Sequence, residues 1–141
     1  MHLGFSSMNT PFDPPPPVLA RPPEERGFGS LWYGEHGHIA CAQKTPCPGG
    51  GELPAPYKHM MDPYVSLMAA AAATTKLRLG TGIALLMERD LFSQAKTIAT
   101  LDQLSGGRVI IGTGVGWNRE EFANVSSQPW HKRYGVLRET V

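Results

Sequence analysis

Apolar and polar positions follow three successive patterns between Lys76 and Glu121. In the first part, apolar residues stand at alternating positions, which is typical of a β-strand; they are Leu77, Leu79, Ile83 and Leu85. From Asp90, a good N-cap residue, the apolar residues instead recur at helical spacing. The predicted apolar face of that helix consists of Leu91, Ala95, Ile98 and Ala99.

The third pattern is a β-branched apolar run over residues 108–111, which is typical of a strand buried on both faces. Gly106 and Gly107 separate it from the helix, because glycine is favoured just past a helix end. Strand, helix and strand in this order predict a βαβ unit with parallel strands.

Both strands of the unit end in glycines, which are Gly80, Gly82, Gly112, Gly114 and Gly116. Glycine in a strand usually marks a bulge or a close approach to the backbone. Ligands of α/β proteins bind at the carboxyl ends of the strands. These glycines therefore predict the floor of a ligand site, and the alternative is that they only allow tight turns.

The rest of the chain continues the alternation of strands and helices. Strands are predicted near residues 2–7 and 28–33, and a helix over 63–75 begins at Asp62 and Pro63. Asn118 caps a short helix, and another helix begins at Tyr134. A loop rich in proline and glycine covers residues 39–57, and loops of this length are often functional.

Proline is unusually dense in residues 11–23, which opposes a regular helix there. Any helix in this segment is expected to be short, over about residues 18–26, and to be damaged by Pro22 and Pro23.

The alternation of strands and helices predicts an α/β fold with four parallel strands and helices on the outside. A closed TIM (β/α)8 barrel needs about 250 residues. The 141 residues therefore form one domain, residues 1–141, that amounts to about half of such a barrel.

Composition adds a few exclusions. The 13 basic and 12 acidic side chains nearly balance, so neither nucleic acid nor membrane is an expected partner. The amino terminus has no signal-peptide pattern. Two cysteines, Cys41 and Cys47, make no disulfide framework, so free thiols and a cytoplasmic location are expected.

Candidate chemistry lies just after the second strand, at Glu35, His36 and His38. A histidine there could move a proton near neutral pH, and a neighbouring carboxylate could orient it. The alternative is a histidine that caps a turn. His36, His38, Cys41 and Cys47 fit no common zinc spacing, so no metal is predicted.

Residues 112–116 read GTGVG and superficially match a dinucleotide-binding fingerprint, but Trp117 occupies the place of the third glycine. Exposed backbone amides in such a turn can still bind a phosphate or a flavin-like ring. Trp117 either stacks on that ring or packs inside the protein.

Several segments together resemble the bacterial luciferase-like monooxygenase superfamily, and most closely its deazaflavin (coenzyme F-420) dependent oxidoreductases. The segments are GFGSLW with Glu35-His36, YKH with Asp62-Pro63, LGTG at 79–82, ATLDQLSGGR at 99–108 and GVGWNREE at 114–121. The resemblance covers nearly the whole chain. The prolines of residues 14–23 depart from it, because the family has its first barrel helix there.

The resemblance implies the N-terminal half of a TIM barrel that binds a flavin or deazaflavin at the carboxyl ends of its strands. It places Glu35 and His36 near the reactive face of the ring. It places a bulge, often with a cis peptide bond, at Gly82-Ile83 behind the ring. It also implies that Gly114, Gly116, Trp117 and Asn118 line the cofactor cleft.

The function implied is hydride transfer between the deazaflavin and a small organic substrate of unknown identity. His36 is the predicted catalytic residue, with Glu35 as its partner. An FMN-dependent monooxygenase is the alternative, and oxygen uptake would separate the two. A non-catalytic fragment or binding remnant is a third reading. A half barrel would leave Leu79, Val109 and Ile111 partly exposed, which makes a homo-oligomer an open prediction.

Overall fold

A computed structural model describes residues 2–141, and its centre is a parallel four-stranded sheet. The strands are β1 (Gly4–Ser7), β2 (Ser30–Tyr33), β3 (Arg78–Ala84) and β4 (Val109–Thr113), in the spatial order β1-β2-β3-β4. All three neighbouring pairs are parallel. The predicted α/β fold is therefore confirmed, and the order is that of half a (β/α)8 barrel.

Five α-helices connect and follow the strands. They are α1 (Pro16–Glu25), α2 (Pro63–Ala72), α3 (Leu91–Ser105), α4 (Arg119–Val125) and α5 (Arg133–Thr140). Single 3-10 turns occur at Ala55–His59, Leu86–Glu88 and Trp130–Lys132. The predicted N-caps are confirmed, since the side chains of Asp62, Asp90 and Asn118 each accept a backbone N–H of the first turn.

The core lies between one face of the sheet and helices α1 to α3. It includes Leu31 and Leu79 from the strands and Ala20, Leu67 and Leu101 from the helices. Val109 and Ile111 pack against the same core. The prediction that Leu79 faces the interior of a barrel and stays partly exposed in half of one was wrong, because Leu79 is fully buried. Side chains alternate between the two faces of a strand, and Leu79 is on the helix-covered face.

The opposite face of the sheet carries Trp32, whose ring lies against Gly80. A Cβ atom at Gly80 would overlap that ring, so glycine is required there for packing. Trp32 also donates a hydrogen bond from Nε1 to the Ser30 hydroxyl at 2.7 Å. The close approach predicted at this glycine exists, but the group that approaches is a tryptophan of the same chain.

The buried face of α3 differs from the predicted one. Leu91, Ala95 and Ala99 are exposed, while Gln94, Leu101 and Ser105 are buried. Gln94 is accommodated because its side-chain amide donates to the Tyr64 hydroxyl at 3.1 Å. A hydrogen-bonded polar residue thus replaces an apolar one in the buried row, which the apolar spacing alone could not reveal.

Helix α1 forms in spite of its prolines. Pro16 lies at the start of the helix, where the missing N–H group costs nothing. Pro22 and Pro23 lie inside the helix and supply no N–H groups to the preceding turn. Packing offsets this loss, because Ala20 and Pro23 are buried. The predicted damage was therefore overestimated.

Strand β4 is half-buried along its whole length, so the prediction that both of its faces are buried was wrong. The strand lies at the edge of the described sheet, next to β3 only. Its apolar run is therefore covered on fewer sides than the sequence pattern implied.

The amino ends of the strands are held together by two charged side chains. The guanidinium of Arg108 donates to the carbonyl oxygens of Ser105, Leu77 and Ala71 and to the Thr74 hydroxyl, at 2.6–3.1 Å. The Glu24 carboxylate accepts the backbone N–H groups of Thr75, Lys76 and Leu77 at 2.6–2.9 Å. These bonds join the ends of α1, α2 and α3 to the start of β3.

No helix within residues 2–141 is long and apolar enough to cross a membrane.

Candidate active site

The loops after β2, β3 and β4 converge at the carboxyl end of the sheet. Parallel strands place all their carboxyl ends at one edge, which is where α/β proteins bind ligands. Glu35 and His36 follow β2, Glu88 and Arg89 follow β3, and the turn 114–117 follows β4.

His36 is held by a carboxylate from α4. Its Nδ1 atom lies 2.6 Å from Glu121 Oε2, and both side chains are largely buried, with 7% and 1% of their surfaces exposed. The other carboxylate oxygen accepts the backbone N–H groups of Gly37 at 2.7 Å and His38 at 3.3 Å. Glu121 therefore fixes both the His36 ring and the loop that carries it.

Glu121 was not predicted as a site residue, although it lies in the family-like segment 114–121. Glu121 is the third residue after the N-cap Asn118, a position where glutamate usually turns back to the cap. Here it turns to His36 instead. Nothing in the local sequence separates it from Glu120, whose carboxylate accepts the backbone N–H groups of Lys44 and Thr45.

Two aromatic side chains surround His36. The ring centroids of Tyr57 and Trp117 lie 5.3 and 5.5 Å from that of His36, both edge-to-face, and 6.2 Å from each other. Trp117 was a predicted cofactor-binding residue, and in the structure it packs beside the predicted catalytic histidine. The three rings form an aromatic wall at the carboxyl end of the sheet.

Glu35 does not contact His36, so the predicted pairing of these neighbours was wrong. Its carboxylate accepts the Leu85 backbone N–H at 2.7 Å and forms an ion pair with Arg89. Arg89 also pairs with Asp62 at 2.7 Å. The two neighbouring side chains thus reach different elements, Glu35 the end of β3 and His36 the helix α4.

The predicted irregularity at Gly82-Ile83 is present. The register between β3 and β4 shifts between Thr81 and Ala84, and the Gly82-Ile83 peptide bond is cis. Ile83 is 38% exposed. Gly114 lies directly against the Ile83 side chain, and a Cβ atom at Gly114 would overlap it.

The remaining predicted site residues, Gly116 and Asn118, lie in and just after the turn that follows β4. Gly116 has a φ of 66°, in the left-handed region that favours glycine. Asn118 is 1% exposed, its Oδ1 caps α4, and its Nδ2 donates to Gln43 at 3.4 Å. The structure gives Asn118 a capping role, and its contact with a cofactor stays a prediction.

A third carboxyl group, that of Glu88, belongs to this end of the sheet and was also missed. Burial raises its pKa to about 8, with further contributions from the negative charges of Glu121 and Glu35. An isolated glutamate in a short turn gives no sequence signal of this kind.

The long loop after β2 lines an open pocket of about 650 Å³. Ile39, Cys41, Cys47, Leu53 and Lys58 are among the residues that line it. The loop is attached to the start of α4 through Gln43, Lys44 and Thr45. The loop that lines the pocket is thus bound to the start of α4, the helix that carries Glu121 of the His36 site.

His36 and His38 have separate partners, since His38 Nε2 lies 2.8 Å from the Asn124 amide. Within the described part of the chain, no group of three or more histidine, cysteine or acidic residues is arranged to hold a metal ion.

A parallel sheet with a buried histidine–carboxylate pair and an aromatic wall at its carboxyl end is the framework of a cofactor- or substrate-binding α/β protein. The model of the luciferase-like monooxygenase family matches residues 18–141. The chain therefore belongs to the luciferase-like monooxygenase family.

Relatives of the chain include an uncharacterized protein and a monooxygenase. An uncharacterized protein of Mycobacterium tuberculosis is 39% identical over 142 residues, which cover 99% of this chain and 50% of the relative. Limonene 1,2-monooxygenase of Rhodococcus erythropolis is 34% identical over 107 residues, which cover 76% of this chain and 24% of the relative.

A solved structure shares both the fold and part of the sequence. The coenzyme F420 dependent tetrahydromethanopterin reductase of Methanopyrus kandleri superposes with a TM-score of 0.62 and 29% identity, over 87% of this chain and 29% of that chain. The chain spans about half the length of the mycobacterial protein and a smaller share of the others.

Proposed function

We propose that this chain is part of an oxidoreductase that transfers a hydride between a deazaflavin coenzyme and a small organic substrate. The observation that carries the proposal is the buried pair of His36 and Glu121 beside the aromatic wall. Support for the deazaflavin comes from the reductase with 29% identity, which is described as coenzyme F420 dependent.

His36 is the proposed proton-transfer residue. The Glu121 carboxylate accepts a hydrogen bond from His36 Nδ1. It therefore favours the imidazole tautomer that carries the proton on Nδ1. The opposite ring atom, Nε2, makes no hydrogen bond to any residue between 2 and 141, which leaves it as the atom for a ligand. A histidine oriented by a carboxylate in this way is suited to general acid–base work.

The residues at this end of the sheet fit a planar aromatic cofactor. Trp117 and Tyr57 offer ring surfaces, and Ile83 presents an exposed side chain at the bulge. The glycines at 114 and 116 let the side chains of Ile83 and Leu85 pack against the turn after β4. When bound, a deazaflavin supplies the hydride chemistry, and these residues would position it. Glu35 would act indirectly, by holding the loop after β3 through Leu85 and Arg89.

An FMN-dependent monooxygenase is the second candidate. It is favoured by the 34% identity to limonene 1,2-monooxygenase, which is comparable to the identity with the reductase. A third candidate is a non-catalytic fragment or binding remnant, because the chain spans half of its mycobacterial relative.

A titration of the purified protein with deazaflavin and with FMN tests these candidates. Preference for deazaflavin without oxygen consumption supports the oxidoreductase, and FMN binding with oxygen consumption supports the monooxygenase. We expect the 141-residue chain alone to bind with a dissociation constant well above about 1 μM, since it supplies only part of the cleft. Tight binding by a monomer would instead identify a complete small enzyme.

The role of His36 is tested by His36→Ala in a version that carries the full barrel. We expect turnover to fall about a hundredfold while cofactor affinity changes less, because His36 moves a proton and does not hold the ring. His38→Ala is the matched control, since His38 contacts the exposed Asn124. Unchanged turnover in His36→Ala would show that His36 only caps a turn.

A homo-oligomer remains a prediction. The half-buried edge strand β4 offers a surface for a second copy. Light scattering of the purified chain would measure its mass.

A further inference from the structure

Glu88 is a partly buried carboxyl group, and one of its two oxygens is buried without a partner. It is the last residue of the 3-10 turn Leu86–Glu88, which directly follows β3 at the carboxyl end of the sheet. Its Oε2 atom is buried and makes no hydrogen bond to the described residues. Its Oε1 atom lies on the side of Gly116, where an added Cβ would be 3.6 Å away. The carboxyl group thus sits under the turn that leads to Trp117.

The charged groups that face Glu88 from neighbouring elements are both carboxylates. They are Glu121 from α4 and Glu35 from the segment after β2. Each is already engaged, Glu121 with His36 and Glu35 with Arg89. Their negative charges oppose a third one at Glu88.

Arg89, the cation next to Glu88 in the chain, is committed elsewhere. Arg89 pairs with Glu35 and Asp62. Helix α5 also packs against the turn Leu86–Glu88, and it carries Arg133, Arg138 and Glu139.

None of these α5 groups pairs with Glu88. The Arg133 guanidinium lies over the rings of Trp130 and Tyr134, at 4.1 and 4.8 Å, while Arg138 and Glu139 are exposed. No ion pair to Glu88 exists among residues 2–141. An ionised Glu88 would therefore place negative charge on a buried oxygen that no hydrogen bond or ion pair among residues 2–141 compensates, which favours the protonated form.

We propose that the carboxyl group of Glu88, with its unpartnered buried oxygen between Glu121 and Glu35, is the proton-holding residue of the candidate site at neutral pH. The raised pKa of Glu88, about 8, agrees with this assignment. The assignment needs no cofactor and does not depend on the proposed function.

The proton on Glu88 has a consequence for His36. When Glu88 loses it in mild alkali, a second negative charge forms beside Glu121, the carboxylate that holds the His36 ring. Glu88 is thus a positioning residue, because its charge reaches a ligand only through Glu121 and His36. It couples the state of the site to pH in a range where ordinary glutamates no longer titrate.

Carbon-13 NMR of the glutamate carboxyl carbons in the cofactor-free chain tests the proposal directly. Between about pH 4 and about pH 10, we expect one glutamate carboxyl resonance to titrate near pH 8. Glu88→Gln should remove that resonance, while Glu139→Gln, an exposed glutamate of α5, should leave it in place. Glutamine keeps the shape of the neutral acid, so the variant is expected to fold.

The His36 ring supplies a second readout that a merely structural role of Glu88 would not move. Its resonances, assigned with His36→Gln, should show an inflection near pH 8 in the wild type that is absent from Glu88→Gln. Two results would overturn the proposal. One is a wild-type spectrum in which every glutamate carboxyl titrates below about pH 6, which is decisive even if a variant fails to fold. The other is a resonance titrating near pH 8 that persists in Glu88→Gln.

Discussion

Glu24 and Glu88 lie at opposite ends of the same sheet and have opposite surroundings. At the amino end, the Glu24 carboxylate accepts three backbone N–H groups. At the carboxyl end, Glu88 has a buried oxygen with no partner and faces two other carboxylates. The same type of side chain thus connects secondary-structure elements in one place and has a raised pKa in the other.

The pKa shifts of the two glutamates have opposite signs for this reason. Burial raises the pKa of Glu24, but hydrogen bonds from Lys76, Leu77 and Thr75 and the charge of Arg108 lower it by more, so the net shift is downward. Burial raises the pKa of Glu88, and the neighbouring carboxylates add to the shift. The comparison indicates that the amino end has its charged groups paired, whereas the carboxyl end leaves one buried oxygen of Glu88 unpaired beside two other carboxyl groups.

The largest effect is expected from removing the main connector of the amino end. Arg108→Met should lower the free energy of unfolding by about 3 kcal/mol, because four acceptors on three elements lose a charged donor. Urea unfolding at neutral pH measures this loss. Arg78→Met is the control, since that side chain is exposed and should cost less than about 0.5 kcal/mol. Equal losses in the two variants would contradict the structural role of the amino end.

An effect of opposite sign is expected at the carboxyl end. Below its ordinary pKa of 4.5, Glu88 is neutral in both the folded and the unfolded chain. Between that value and about 8, only the unfolded chain ionises at Glu88, so the stability of the wild type falls as pH rises. Glutamine does not ionise, so the stability of Glu88→Gln should not fall in this way. The variant should be more stable than the wild type by about 2 kcal/mol near pH 8.

Thermal unfolding across this pH range gives the difference between the two proteins, with Glu139→Gln as the control. A difference that does not grow between pH 4.5 and about 8 would show that Glu88 is ionised in the folded chain.

The smallest effect is expected for Glu24→Gln. At neutral pH it should cost about 1 kcal/mol, because the amide oxygen still accepts hydrogen bonds but carries no charge. The lowered pKa means that the contribution of Glu24 is present above its ordinary value of 4.5 and is lost as pH falls through the folded-state pKa. The variant should therefore lose less stability in acid than the wild type does.

Chemical unfolding at neutral and acidic pH measures this difference, and Glu25→Gln is the matched neighbour because its side chain is exposed. If both variants respond alike to acid, the hydrogen bonds at the amino end do not set the acid stability.

The family motif at residues 99–108 illustrates how function and structure are distributed. Its Arg108 and Asp102 bind backbone groups at the amino end, far along the strands from His36. The motif therefore identifies the family but contributes no residue to the candidate site at His36. The segment 114–121 did carry site residues, because Trp117 and Glu121 both contact His36.

The sequence by itself determined the strands, the capped helices and the parallel order, because these depend on local signals: apolar period, cap residues and glycine. The irregularity at Gly82-Ile83 was implied by the resemblance of the sequence to its family. Only the tertiary structure decided that Glu121 and not Glu35 holds His36, that Gln94 lies on the buried side of α3, and that Glu88 has no partner. Each of these is set by groups 30 or more residues apart in the chain, as in the His36–Glu121 contact at a separation of 85. Hydrogen bonds and charge interactions across such distances leave no periodic trace in the sequence, so the fold was predictable where the arrangement of its charges was not.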